Sequence, residues 1–408
     1  MSQRRRRILF VTRAMAGGAV VSLYELVRAL NDGCYEPVVL FHNASPYADQ
    51  FKALGARVLF LSEQPRAAPP ARAPRNLAAR CDEYGRWLGG SYRAAKSAYL
   101  TARGYPAILQ MTRLMKAEAI DLVHHNNGML GNRDSVIAAW LAGVPQVCHI
   151  RQFEDLSWVE KALGSRVEMF IYNSRSVQEQ YCRQGIPARK GQVVYNPIDT
   201  ESFGQPYDAD AVRREFGLTA RDRLISNVGR LDWWKGQDYF LQAMAEVIQS
   251  EPNVKALLVG QSDNAPINQA YFQRLQQLVR DLKLSEHIIF TGLRSDVPKI
   301  MAASDIIVHS ASEPEPFGRV VVEGMAAGRP VIATAAGGVL DIIEHEVNGL
   351  LVPLKNASMM AKAMVGLLQN PDQCRKLGEK ARDYASERFA IARHATAVQQ
   401  IYEQVLGA

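Results

Sequence analysis

Apolar side chains recur along the chain in two alternating patterns. Short runs dense in Val, Ile, Leu and Phe stand at RILFVT, EPVVLFH, ARVLFLS, DLVHHN and PQVCHIR in the first half, and at RLISNVGR, VKALLVG, HIIFTG, DIIVHSA and RPVIATA in the second. Between them lie longer stretches with helical patterning. Near-continuous apolar strands separated by helices of about ten or more residues predict parallel sheets covered on both faces. The chain therefore reads as two doubly wound α/β domains. Its 408 residues agree, since a single core usually stops growing near ~250–300 residues. The join is expected in YNPIDTESFG, residues 195–204, where Pro and Gly follow the last strand-like stretch of the first half.

Composition changes this picture little. With 48% hydrophobic and 22% charged residues the chain is an ordinary globular one, and disorder is not indicated. The opening MSQRRRRILFVTRAMAGGAVV imitates a leader peptide, but Arg13 interrupts the apolar stretch, and a first strand from Ile8 to Thr12 is the better reading. No apolar run approaches the ~20 residues that cross a bilayer. Five cysteines, at 34, 81, 148, 182 and 374, are odd in number and scattered, which points to a reducing cytoplasm.

Charge is more informative because it is uneven. Residues 1–200 carry 26 basic against 16 acidic side chains, and the remainder 22 against 25. Residues 62–110 hold eight basic and three acidic side chains among Pro, Ala and Tyr. Two readings stand side by side: a solvated helical insertion with a flexible entrance, or adhesion to an anionic membrane surface at ~1 kcal/mol per cation. No nucleic-acid recognition motif accompanies the charge, so nucleic acid is not expected as a partner.

In open parallel sheets, ligands gather at the carboxyl ends of the strands. Several unusual residues fall there. Gly17 and Gly18 follow the first strand and open a helix, where missing side chains let backbone N–H groups approach a phosphate. In NVGRLDWWKG, Arg230 and Lys235 lie in one strand-to-helix loop and are expected to converge on a diphosphate, one as a fork and the other as a point charge. Trp233 and Trp234 either pack beneath that loop, the favoured arrangement, or face a ligand. In EPEPFGRVVVEGM, Glu315 sits in a loop, Phe317 and Gly318 precede a helix N-terminus, and Glu323 falls within an apolar helix. Glu315 by itself reads equally as a helix cap. Glu323 needs hydrogen-bond donors, which a pair of vicinal hydroxyls supplies.

EPFGRVVVE resembles the Glu-x7-Glu signature of family 4 glycosyltransferases, and GRLDWWKG is similar to their Gly-Arg-Leu-x3-Lys-Gly phosphate segment. MAGGAVVSL resembles their first glycine loop, VPQVCHIR their strand ending in an active-site His, and VVYNPIDTESF their interdomain passage. The resemblance spans nearly the whole chain. It implies the GT-B fold, two Rossmann-like domains facing a central cleft, with domains at 1–198 and 199–386 and a terminal helix, 387–408, that crosses back to the first. It also implies a retaining hexosyltransferase using a UDP- or GDP-sugar. Glu323 would hold the ribose hydroxyls, Arg230 and Lys235 the diphosphate, and Glu315 the donor sugar. Phe317 and Gly318 would add backbone N–H groups, Gly17 or Gly18 would admit the distal phosphate, and the backbone of Leu293 and Arg294 would meet the base. His149 would line the reaction centre, with His124 and His125 as competitors.

No cofactor and no metal are expected: the Asp208-x-Asp210 pair reads as a helix start. The expected acceptor is a glycan or lipid-linked glycan, and the expected location the cytoplasm, at the inner membrane face if the basic half adheres there. This chain departs from the family in having Gly324 where Ala is common, and Ile150 and Arg151 where many members place an Asp. Two rival classes remain: a sugar-nucleotide epimerase of the same fold, and a noncatalytic sugar-nucleotide-binding protein.

Overall fold

The structure is a computed structural model that describes residues 4–13, 17–30, 33–61, 86–219 and 221–407. The chain divides into two compact units, Met1–Tyr195 with His394–Ala408, and Asn196–Arg393.

The first unit is built on seven strands: β1 (Arg6–Thr12), β2 (Tyr35–Phe41), β3 (Arg57–Phe60), β4 (Leu122–Asn126), β5 (Gln146–Ile150), β6 (Met169–Tyr172) and β7 (Gly191–Val193). Their order is 3-2-1-4-5-6-7 and every pairing is parallel. All residues of β4 and β5 are buried, as expected of central strands covered on both faces. One face packs against Val20, Leu23, Val27 and Leu30 of the helix Gly18–Leu30, and against Val398, Ile401 and Tyr402 of the helix Ile391–Leu406. The opposite face packs against Ile108, Met111 and Met115, spaced three and four apart on the helix Arg86–Ala117.

That last helix revises the reading of the basic insertion. Residues 62–85 lie outside the described residues, but the stretch reaching 110 enters a core helix: Tyr99 and Tyr105 are exposed while Ile108 is buried. Among the described residues, no helix is long and apolar enough to cross a membrane.

The second unit has six strands: β8 (Arg223–Val228), β9 (Val254–Val259), β10 (Ile288–Gly292), β11 (Ile306–His309), β12 (Val331–Thr334) and β13 (Leu350–Val352). Their order is 10-9-8-11-12-13, again all parallel. One apolar cluster, around Phe240, Leu241 and Met244, covers one face, and a smaller one, around Val212, Leu218 and Ile300, covers the other. The strand order reverses between the neighbouring strands β8 and β11. This is therefore the place where an open sheet leaves room for a ligand.

The unit boundaries differ from 198/199 and 386/387 for a local reason. Ile198 bridges Ala390 and its N–H donates to the Phe389 carbonyl at 2.9 Å, which keeps both crossing segments with the second unit. β6, β7 and β13 were not anticipated: β7 and β13 are only three residues long, and MFIY of β6 is a brief apolar run among polar neighbours.

Candidate active site

Two loops of the second unit meet at the carboxyl ends of β8 and β11. The loop after β8 makes a short 3-10 turn, Trp233–Lys235, and enters the helix Gln237–Ser250 through Gly236. Gly236 has φ of +64°, and a Cβ there would run into the Ser310 carbonyl. A side chain is thus excluded twice, by backbone conformation and by contact. The loop is sewn to the strand beside it: Ser310 Oγ donates to the Lys235 carbonyl at 3.0 Å and the Ser312 N–H to the Trp234 carbonyl at 2.9 Å.

These bonds hold Lys235 against the second loop. Its Nζ lies 2.7 Å from Glu315 Oε2 and 4.2 Å from the Trp234 ring. Glu315 also lies 3.3 Å from His309 Nε2 at the end of β11. Burial by itself would raise the Glu315 carboxyl, but Lys235 and His309 overturn that and hold it down at about 2. Glu315 is further fixed through its backbone, whose carbonyl accepts from the Gly338 N–H at 2.7 Å.

Three residues on, Gly318 adopts φ of +101° and starts the helix Arg319–Ala326. The opening N–H groups of a helix have no partner in its own ladder, and they point toward the side where its dipole is positive. Phe317 is buried, packed edge-on against Phe389 at 5.8 Å. Glu323 lies in this helix, with Arg319 Nε 3.4 Å from its Oε1. Here burial prevails and pushes the carboxyl up, with Arg319 and then Lys235 opposing it. The two carboxylates of one motif are thus driven in opposite directions.

Arg230 behaves differently from the expectation of convergence. More than half exposed, it rests beside Asp232 at 3.3 Å and Asp263 at 3.9 Å, while Lys235 is held by Glu315. Trp233 is half exposed and not packed beneath the loop. The Arg294 guanidinium is clamped by Glu215, at 2.6 and 3.0 Å, and by Asp296, at 2.8 Å to each oxygen. Its side chain is committed, and the neighbouring Leu293 is exposed at the end of β10. Asp208 caps the helix Ala209–Glu215 by accepting from the Ala211 N–H at 2.9 Å.

Known proteins place this arrangement. The model of glycosyl transferases group 1 matches residues 208–384, and that of glycosyltransferase family 4 matches residues 16–202. The chain belongs to the family 4 glycosyltransferases. The crystal structure of Anabaena HepE in complex with UDP superposes with a TM-score of 0.80 at 25% identity, covering 98% of this chain and all of that one. The architecture is the GT-B fold. N-acetyl-alpha-D-glucosaminyl L-malate synthase of Bacillus anthracis is 29% identical over 54% of this chain and 55% of its own length. The lipopolysaccharide core biosynthesis mannosyltransferase LpsB of Rhizobium meliloti is 26% identical over 52% and 61%. The chain spans little more than half the length of these two curated relatives.

The first unit of this family member carries the remaining candidates. His149 is fully buried at the carboxyl end of β5, and its Nδ1 lies 3.1 Å from an Arg151 guanidinium nitrogen. Arginine only donates, so Nδ1 must accept and Nε2 carries the proton. Burial first, then Arg151, lowers the pKa and keeps the ring neutral. His149 Nε2 has no hydrogen-bond partner among the described residues. Arg151 Nε donates to Asn126 Oδ1 at 3.0 Å, and Asn126 Nδ2 donates to the Ala19 carbonyl at 3.2 Å, which links His149 to the glycine loop. In that loop the Gly17 carbonyl accepts from Val20 and Val21, and its positive φ of +93° leaves open space where a Cβ would stand.

Of the competitors, His125 has both ring nitrogens engaged, by Ser135 at 2.9 Å and Gln146 at 2.7 Å, which makes it structural. His124 Nδ1 meets the Tyr402 hydroxyl at 2.6 Å. The sequence reading left out His309 and the side chain of Arg319. A histidine ending an apolar strand has no spacing to announce it, whereas Arg319 stands i, i+4 from Glu323 and was readable.

Proposed function

We propose that this chain is a retaining glycosyltransferase that moves a hexose from a UDP- or GDP-sugar to an acceptor hydroxyl. The observation that carries the reading is the grouping of Lys235, Glu315 and Glu323 beside the helix start at Gly318, in a loop pair at the reversal point of a parallel sheet. HepE, crystallised with UDP, supports a uridine nucleotide.

In this reading Glu323 accepts hydrogen bonds from the ribose hydroxyls. Arg230 and Lys235 balance the diphosphate, the Phe317 and Gly318 backbone meets phosphate or sugar oxygens, and Leu293 and Arg294 offer backbone to the base. Gly17 and Gly18 admit the distal phosphate. Breaking the anomeric C–O bond leaves electrons on the phosphate oxygen, and the fixed cations stabilise that charge without a metal. The acceptor hydroxyl attacks from the same face, and its proton passes to the departing phosphate oxygen. Glu315 holds the donor sugar. Neutral His149 contributes a hydrogen-bond donor through Nε2 and not a base.

A lipid-linked glycan is the proposed acceptor, supported by the basic excess of residues 1–200 and by exposed Tyr99, Arg103 and Tyr105 on the helix Arg86–Ala117. Absence of binding to anionic vesicles at low salt would remove that part. The central reading is tested by thermal shift with UDP, GDP and ADP on the wild type and Glu323→Ala. A ligand at 100 times its Kd stabilises by ~2.7 kcal/mol, a shift of several degrees. Stabilisation by UDP or GDP that Glu323→Ala loses is expected, and failure of every nucleoside diphosphate to bind overturns the assignment.

A further inference from the structure

A second concave site lies at the other end of the same sheet. Arg223 begins β8, Asp305 precedes β11, and Arg329 and Pro330 precede β12, so this cavity opens at the amino ends of the strands whose carboxyl ends hold Lys235 and Glu315. Its volume is about 390 Å³, and Arg375, Glu379 and Arg382 of the helix Pro371–Arg388 complete the polar wall. That size suits a small ligand.

The charges in this wall do not cancel. Asp305 is taken by Arg223 at 3.4 Å, by Arg213 at 3.5 Å and by the Leu224 N–H at 2.7 Å. Glu379 is taken by Arg375 at 3.1 Å. Pairing these off leaves Arg329 and Arg382, which make no ion pair with any carboxylate among the described residues. Each donates only to a carbonyl at a helix C-terminus, Arg329 to Ala302 and Arg382 to Ala327, the latter at 3.3 Å. A helix end offers about half a negative charge, too little to neutralise a guanidinium. Arg329 Nε is sealed from solvent with no hydrogen-bond partner. Burial lowers the Arg329 pKa, Asp305 opposes that, and Arg382 lowers it further, as two crowded cations should.

The backbone seats Arg382 against the turn that carries Arg329. Gly328, at φ of +68°, lies directly under Arg382, and any Cβ there would collide with the guanidinium. A Cβ on Gly378 would strike the Gly328 carbonyl, so the helix Pro371–Arg388 approaches this turn closely.

We propose that Arg329 and Arg382 form an anion site for a phosphomonoester, separate from the nucleotide-sugar site and open to a ligand while that site is filled. A planar fork matches a phosphate's oxygens, and the cavity leaves room for a small organic body beside the phosphate. The proposal does not depend on the donor assigned above.

The test is thermal shift of the full chain at saturating UDP, titrated with inorganic phosphate and with glucose 6-phosphate against sodium chloride of equal ionic strength. Stabilisation by the phosphates over chloride is expected. Arg382→Gln should weaken it at least about ten-fold, the worth of one charge-assisted hydrogen bond, while UDP binding stays unchanged. Glu379→Gln removes a competing carboxylate and should tighten phosphate binding by roughly three- to ten-fold, a gain that damage to the fold would not produce. The proposal is overturned if phosphate acts no better than chloride, if UDP displaces it, or if Arg382→Gln responds as the wild type does. Binding to phosphatidic-acid vesicles, lost in Arg382→Gln and without a response to glucose 6-phosphate, would support the site and identify the ester as a lipid headgroup.

Discussion

Lys235 and Glu315, eighty positions apart in sequence, form a 2.7 Å ion pair with both side chains more than four-fifths buried. The pair makes the site's charge part of the fold's stability. Breaking a buried pair by removing one partner costs ~3–5 kcal/mol, because the other charge is left without compensation. Glu315→Gln should lower unfolding stability by about that much or somewhat less, since the amide still accepts one hydrogen bond. Urea unfolding measures it.

The same pair gives stability a defined acid limb. The Glu315 carboxyl has its ordinary value near 4.5 lowered to about 2 in the folded state. Its contribution is therefore complete above about pH 4.5 and disappears as pH falls toward 2. Wild type and Glu315→Gln should differ in stability at pH 6 and converge on acidification. Equal pH slopes in that window would contradict the assignment.

Glu323 has the opposite sign. Burial raises its carboxyl, so the folded chain binds its proton more readily than an unfolded chain does, and stability attached to this group declines as pH rises through the folded value. Ribose hydroxyls donate best to the ionised form. UDP affinity should therefore fall on acidification through a pKa above the ordinary 4.5, and calorimetry across that range reads it. In Glu323→Gln this limb should be absent.

Gly236 joins the conformational and steric constraints at one point. An alanine there must hold φ near +64° and push against the Ser310 carbonyl, so the loop must shift. Gly236→Ala should cost more than ~1 kcal/mol and displace Lys235 from Glu315. A lowered Tm with weakened UDP binding is the expected pair of outcomes.

Tyr402 is fully buried, with its hydroxyl 2.6 Å from His124 Nδ1. His124 Nε2 already has no hydrogen-bond partner among the described residues. Tyr402→Phe would leave both ring nitrogens unsatisfied and should destabilise the first unit by ~1–3 kcal/mol. Hydrogen exchange in the helix Ile391–Leu406 should accelerate first.

Legibility in the sequence followed the length and pattern of each element. Strands with four or more consecutive apolar residues, such as VKALLV, stood out because both their faces are covered. MFIY in β6 is as apolar but is hidden between polar neighbours, and LLV in β13 is too short to register. Glu315, Glu323 and Lys235 were readable because a charge in an apolar or glycine-rich setting needs a reason. The pairing of Lys235 with Glu315 in preference to Arg230 was not, since it depends on Ser310 and Ser312 stitching two distant loops. Arg329 and Arg382 were invisible for the same reason: the absence of a carboxylate partner is a property of space and not of spacing.

Val398, Ile401 and Tyr402 sit in the core of the unit that also holds the first strand, while residues 196–393 form the other unit without interruption. Synthesis runs from the N-terminus and domains tend to fold as units. The second unit to be translated can therefore complete its core first. The first must wait, with the face of its sheet beneath that helix uncovered, until the helix Ile391–Leu406 has left the ribosome. The early-made half of this protein is the one most exposed to chaperones and to aggregation during its own birth.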